Sequence, residues 1–294
     1  MLDAIAGADA LVWIAICVKA LVYATSLTAA GSVLSYVSLR PLPAVERGWL
    51  VRLAVFCALA AAVLSVARLP LRASFLMGGT WEGAFDPMIL TMVAQSPLGT
   101  SIALRLLGLA LVLALLIPAR IGTALSVIGA VLVAASFAFR GHALAEPRIV
   151  LGLLITLHIV TVAFWIGAFA PLYRLAGTDR ATAGMLAHRF GQSAVWFVGV
   201  LAVSGVVTLW LLTGNPLTAI TTAYGQLFIL KIGSFTALLG LAAWNKLLLT
   251  PALLRQDQDA AVKLRRSIAI EAVLVALILL TTATLTTVTA PAGM

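Results

Sequence analysis

Apolar residues run along this chain in eight long stretches, broken by short basic or proline-containing intervals. The stretches lie at about 11–38, 49–67, 98–117, 121–139, 149–173, 190–212, 224–246 and 267–289. Each is close to the ~20 residues that a helix needs to cross the hydrocarbon core of a bilayer. They are apolar on most faces, so length and flanking charge define them better than a 3.6-residue period does. The second is short, between Arg52 and Arg68, and the long basic side chains at its ends can reach the interface. The pattern predicts an all-α protein, a polytopic integral membrane bundle of eight transmembrane helices forming a single domain over 1–294.

The longest polar interval runs from Leu69 to Pro97. Within it, Asp86-Pro87 has the form of an N-cap followed by proline at the first helical position, and Ser96-Pro97 repeats that form before the third span. A short helix over about 87–95, lying outside the bilayer, is expected.

Composition supports the membrane reading. The chain is 63% hydrophobic and only 10% charged, whereas charged residues make up about a quarter of a soluble domain. Lipid is therefore its main solvent. The net charge of +9 does not point to nucleic acid, because the basic residues gather in loops on one side. Twelve of them (Arg40, Arg47, Arg52, Arg120, Arg174, Arg180, Arg189, Lys246, Arg255, Lys263, Arg265 and Arg266) fall on one face and four (Arg68, Arg72, Arg140 and Arg148) on the other. The basic side is expected to be cytoplasmic, which puts both termini in the periplasm. Asp3 and Asp9, with no basic segment, do not form a cleavable signal, so the first stretch is expected to stay as a helix. Cys17 and Cys57 both fall inside spans, where a structural disulfide is not expected.

Several segments resemble the CopD family of bacterial copper-resistance membrane proteins. They are Ser96-Pro97-Leu98-Gly99 with Arg105, Gly141-His142-Ala143, the fifth span with His158, Trp165 and Gly167, and the seventh with Tyr224-Gly225, Lys231, Trp244-Asn245-Lys246 and Thr250-Pro251. Leu264-Arg265-Arg266-Ser267 with Glu271 completes the series. The order and spacing of these segments carry the resemblance. It implies a multi-pass protein of the bacterial inner membrane, not an enzyme, that moves copper from periplasm toward cytoplasm. It also implies a periplasmic copper carrier of the CopC type as partner.

His158 is the candidate of greatest interest. It lies ten residues into the fifth span, ~15 Å down, near the bilayer centre. Imidazole is a good ligand for copper, zinc and haem iron. The plainer reading is a hydrogen bond to a Ser or Thr on a neighbouring helix. Trp165, seven residues on, shares its face. His142 falls at the outer interface, too far from His158 to share an ion unless the loop 140–147 dips inward. Met88 and Met92 share one face of the outer helix, and thioethers suit Cu(I) better than Cu(II). They can equally pack that helix onto the membrane face. Asp86 and the other outer carboxylates Glu82 and Glu146 are placed to support a cation.

Lys19, Arg105 and Lys231 complicate this picture. Each lies ~10–12 Å inside the outer end of its span, forming a positive belt. Such a belt repels copper unless carboxylates neutralise it. It would suit an anionic guest, so a haem b or quinone redox protein is the alternative reading. Outward snorkelling of Lys19 and Arg105 is the plain one. Glu271 is expected in the first turn of the eighth span, stabilised by the helix dipole, with an inner exit station beside Asn245 as the sharper alternative. His188, between Arg180 and Arg189, reads as solvated. A copper sensor or docking protein that does not transport is a third possibility. The chain carries no phosphate-binding glycine loop, HExxH or CxxC pair.

Overall fold

The computed structural model describes residues 9–139, 146–213 and 223–288. Those residues are helical, with no strand among them. In chain order the helices are α1 (Ala10–Ser38), α2 (Ala44–Leu76), α3 (Trp81–Phe85), α4 (Pro87–Gln95), α5 (Pro97–Val112), α6 (Arg120–Ala135), α7 (Arg148–Thr178), α8 (Arg180–Thr213), α9 (Ala223–Trp244), α10 (Thr250–Leu254) and α11 (Gln258–Val288). Short 3₁₀ segments extend α5 over Leu113–Leu116 and α6 over Ser136–Phe139, and a π turn over Asn245–Leu249 joins α9 to α10. Eight helical segments are long and apolar enough to cross a membrane. Their outward surfaces carry exposed Phe56, Val63, Leu153 and Val203, as helices facing lipid should.

The expected outer helix forms over Pro87–Gln95. Asp86 Oδ1 accepts from the backbone N–H groups of Met88 (2.8 Å) and Ile89 (3.0 Å), and Pro87 follows at the first helical position. Ser96 caps α5 in the same way, accepting from Leu98 N–H at 3.2 Å. These two caps fix a sharp corner at each end of α4.

Several helices run further than their apolar stretches. α2 begins at Ala44 and continues through Pro70 to Leu76, so the interval from Leu69 is helix rather than loop up to that point. Arg68 and Arg72 therefore project from a helix. α8 begins at Arg180, and His188, exposed beside Gln192, sits on it rather than in a loop. α11 begins at Gln258, nine residues before the eighth apolar stretch. In α8 and α11 the flanking turns are amphipathic, burying Leu186 and Leu264 and exposing His188, Lys263 and Arg266; in α2 the polar Glu46 and Arg68 of the flanking turns are themselves buried against other helices, and apolar length alone misses both kinds of extension.

Two close crossings hold the bundle. A Cβ added at Gly31 would overlap the Ala163 carbonyl oxygen, and one at Gly167 would overlap that of Gly31, so α1 and α7 touch backbone to backbone. Gly108 and Gly129 do the same for α5 and α6. Without a hydrophobic force between helices in lipid, such small-residue contacts supply the packing. Around them, Leu27, Val33, Ala58, Leu109, Val112 and Val133 form one buried cluster. A second, of Leu50, Leu172, Leu186, Leu253 and Leu264, gathers at the end of the bundle near Arg174. At that end Arg174 Nε donates to Glu46 Oε2 at 2.9 Å, with its guanidinium 4.8 Å from the Trp49 ring centre. We call this end the Arg174 face and the opposite end the Asp86 face.

Candidate functional site

Three groups of polar residues inside the bundle bear on function. The first joins α7, the π turn and α11. Glu271 is 4% exposed. Its Oε2 accepts from Trp165 Nε1–H at 3.1 Å, and its Oε1 from Asn245 Nδ2–H at 2.6 Å. Phe190 of α8 packs edge-on against Trp165, with ring centres 5.7 Å apart. Glu271 is thirteen residues into α11, ~20 Å along its axis, so the helix-start role expected from the sequence is corrected. The error follows from the nine additional residues of helix before the apolar stretch.

The π turn explains why Asn245 reaches this carboxylate. Pro251 has no N–H to donate and its ring crowds the preceding turn. The chain widens over Asn245–Leu249, and the Asn245 carbonyl accepts from both the backbone N–H of Thr250 and its Oγ1–H, the latter at 2.8 Å. π turns of this kind recur at functional sites. Charge-assisted hydrogen bonds contribute about 1.5–3 kcal/mol each. Even at the centre of a spanning helix a carboxylate costs about 2.5–3.5 kcal/mol on insertion scales, and Glu271 lies only four residues inside the apolar stretch. Two such donors are therefore enough to hold Glu271 where it is.

The second group contains His158, half-buried on α7. Its Nδ1 lies 3.4 Å from Ser204 Oγ on α8. That is at the long end of hydrogen-bond distances. Although seven residues apart on α7, His158 and Trp165 have different partners. His142 lies outside the described residues.

The third group lies toward the Asp86 face. A cavity of about 440 Å³ opens there between α1, α2, α4, α5 and the end of α11. Lys19, Arg68, Arg72 and Met92 line it, with Phe75 and Leu98. Lys19 is buried, its ammonium donating to the Thr286 carbonyl at 2.8 Å and to Thr287 Oγ1 at 3.2 Å. Arg105 is 1% exposed. Its Nε donates to Ser136 Oγ at 3.1 Å, and its guanidinium lies 4.6 Å from the Phe137 ring centre. Both cations are thus enclosed by neighbouring helices, and the snorkelling expectation does not hold. Lys231 falls on α9, whose side chain there is outside the described atoms.

Met88 and Met92 are exposed on α4, Met88 at 81%. That helix packs on α2, α3 and α5, whereas α7 with His158 packs chiefly on α1, α6, α8 and α11. Asp86 spends a carboxylate oxygen on its helix cap, and Glu146 spends one on the Arg148 N–H. Among the described residues, no three His, Cys, Asp or Glu side chains gather as a metal site. Sequence reasoning missed the place of Arg68 and Arg72 in the cavity. Their four-residue spacing, which puts them on one helix face, was the available signal.

Comparison with known proteins finds relatives among copper-resistance membrane proteins. The family described as copper resistance protein D-like, N-terminal domain, matches residues 1–149, and that described as copper resistance protein D matches 184–285. The copper transport protein CutJ of Bacillus subtilis is 30% identical over 196 residues, covering 62% of this chain and 36% of CutJ. The inner membrane protein YebZ of Escherichia coli is 34% identical over 202 residues, covering 63% of this chain and 66% of YebZ. The matched region is thus less than two thirds of either relative's length. No solved structure matches. Eight apolar helices and the likeness to an inner membrane protein make this a multi-pass protein of the inner membrane. The chain belongs to the copper resistance protein D family of membrane proteins.

Proposed function

We propose that this protein moves copper ions across the inner membrane, from periplasm to cytoplasm, as a transporter rather than an enzyme. The Asp86 face is then periplasmic, with both termini on that side and 1–294 acting as one transmembrane unit. Copper arrives as Cu(I), handed over by a periplasmic CopC-type carrier. Met88 offers the first thioether, with Met92 one turn on, His142 is their partner on the sequence reading, and His158 is the ligand at depth. The observation that carries this reading is an imidazole half-buried in a spanning helix, its Nδ1 3.4 Å from Ser204 Oγ. Kinship with a copper transport protein supports the choice of ion. His158→Ala is expected to lower cellular copper accumulation several-fold. Wild-type accumulation in a well-expressed variant removes His158 from the route.

One observation favours a second reading. The cavity lined by Lys19, Arg68 and Arg72 suits an anionic guest, such as a haem propionate or a quinone oxygen, better than a metal cation. The visible spectrum of the purified protein separates the two, since a Soret band belongs to haem alone. Copper binding at the periplasmic face without uptake into proteoliposomes would instead identify a sensor or docking protein.

A further inference from the structure

Glu271 forms no ion pair among the described residues. The charged groups on the helices around it are engaged elsewhere or point away. On α7, Arg174 pairs with Glu46. On α8, Arg189 donates to the Arg40 carbonyl and His188 contacts Gln192. Beside the π turn, Lys246 is exposed and its stem lies along Gly191. On α11 itself, Arg265 sits over the Tyr173 ring and Arg266 is exposed. On α1, Lys19 bonds to the far end of α11. Among the described residues, a carboxylate in a membrane span is thus held by two neutral donors and no counter-ion; the Lys231 side chain, on α9, is outside the described atoms.

The two donors differ in kind. Trp165 N–H can only donate, so it serves an ionised or a neutral carboxyl through an acceptor oxygen. Asn245 carries a donor and an acceptor on one planar amide of nearly equal ends. With its NH₂ toward Glu271 it stabilises the carboxylate. Turned about, it accepts the O–H of the protonated acid. The Asn245 Oδ1 is buried and has no hydrogen-bond partner among the described residues. The Ser267 hydroxyl, one turn before Glu271 on the same face of α11 and 6% exposed, is likewise without one. Buried polar groups are paired in the great majority of cases. Two unpaired ones beside a lone carboxylate indicate a site that exchanges something small and polar. All of its ligating atoms are oxygens, which match a proton and not soft Cu(I).

We propose that Glu271 is a proton-binding site, with Asn245 as the partner that serves both protonation states and Ser267 as the first step from the Arg174 face. Loading adds one proton to the carboxylate to give the neutral acid, and release returns it to water. Any coupling to copper rests on the transport reading above, whereas protonation itself does not.

The test is infrared difference spectroscopy of the purified full-length protein in lipid, between acidic and alkaline pH, with no copper present. Wild type is expected to show a carboxylic acid carbonyl band that is missing in Glu271→Gln, and Asn245→Leu is expected to shift that band. Identical difference spectra for wild type and Glu271→Gln overturn the proposal. If Glu271→Gln does not assemble, an unmoved band in Asn245→Leu overturns it equally. In proteoliposomes given external copper, an imposed pH gradient is expected to change uptake several-fold in wild type and to have no effect in Glu271→Gln. If no copper moves in either, the transport reading fails while the infrared result stands.

Discussion

At the scale of single residues, burial decides which charges matter. Arg174 and Glu46 form an ion pair whose carboxylate is 6% exposed and whose guanidinium is 35% exposed. Exposed pairs contribute about 0–1 kcal/mol, and breaking a fully buried pair costs about 3–5 kcal/mol. This pair lies between those limits. Glu46→Ala is expected to destabilise the protein by about 1–2 kcal/mol, read as a lowered thermal midpoint in detergent. An unchanged midpoint would mean that the Trp49 stacking alone holds Arg174. The sequence announced neither partner, because the two residues are far apart in the chain and Arg174 stood among the ordinary loop charges. Glu271 is a similar case. Its residue type and span were legible, but its depth depended on a helix start that apolar length does not report. Asp86 and Ser96 were legible in full, since capping is local and a Pro in the next position leaves little choice.

At the scale of helices, the eight crossings were legible because hydropathy is a sum over many residues and tolerates single errors. Their ends were not, because amphipathic turns outside the hydrocarbon keep their helical hydrogen bonds. Nor were the contacts between helices, which depend on where small residues face one another. Gly31 and Gly167 illustrate this. Each is one glycine among many in the sequence, yet they meet with no room for a side chain. Gly31→Val is expected to cost about 1–3 kcal/mol or more, as over-packing does. Gly240→Ala, where an added Cβ meets nothing within 4 Å, is expected to stay within about 1 kcal/mol of wild type. Thermal midpoints of the two purified variants check the contrast, and equal midpoints would remove the crossing from the account of stability.

At the scale of the molecule, orientation follows from charge. Twelve basic residues against four predict that the Arg174 face is cytoplasmic. In a background lacking Cys17 and Cys57, Glu82→Cys is expected to react in intact cells with a membrane-impermeant maleimide, and Asp257→Cys is not. The reverse pattern would invert the orientation and the proposed direction of copper movement. The candidate site was legible only in pieces. The resemblance gathered Trp165, Asn245 and Glu271 as separate motifs, and their meeting required three helices and a π turn. The backbone contact between α1 and α7 also bears on motion. Two helices joined without intervening side chains have no soft layer across which to slide, so they form an axle. Any rocking that opens His158 to one side and then the other must turn on it, carried by the helices around α1 and α7.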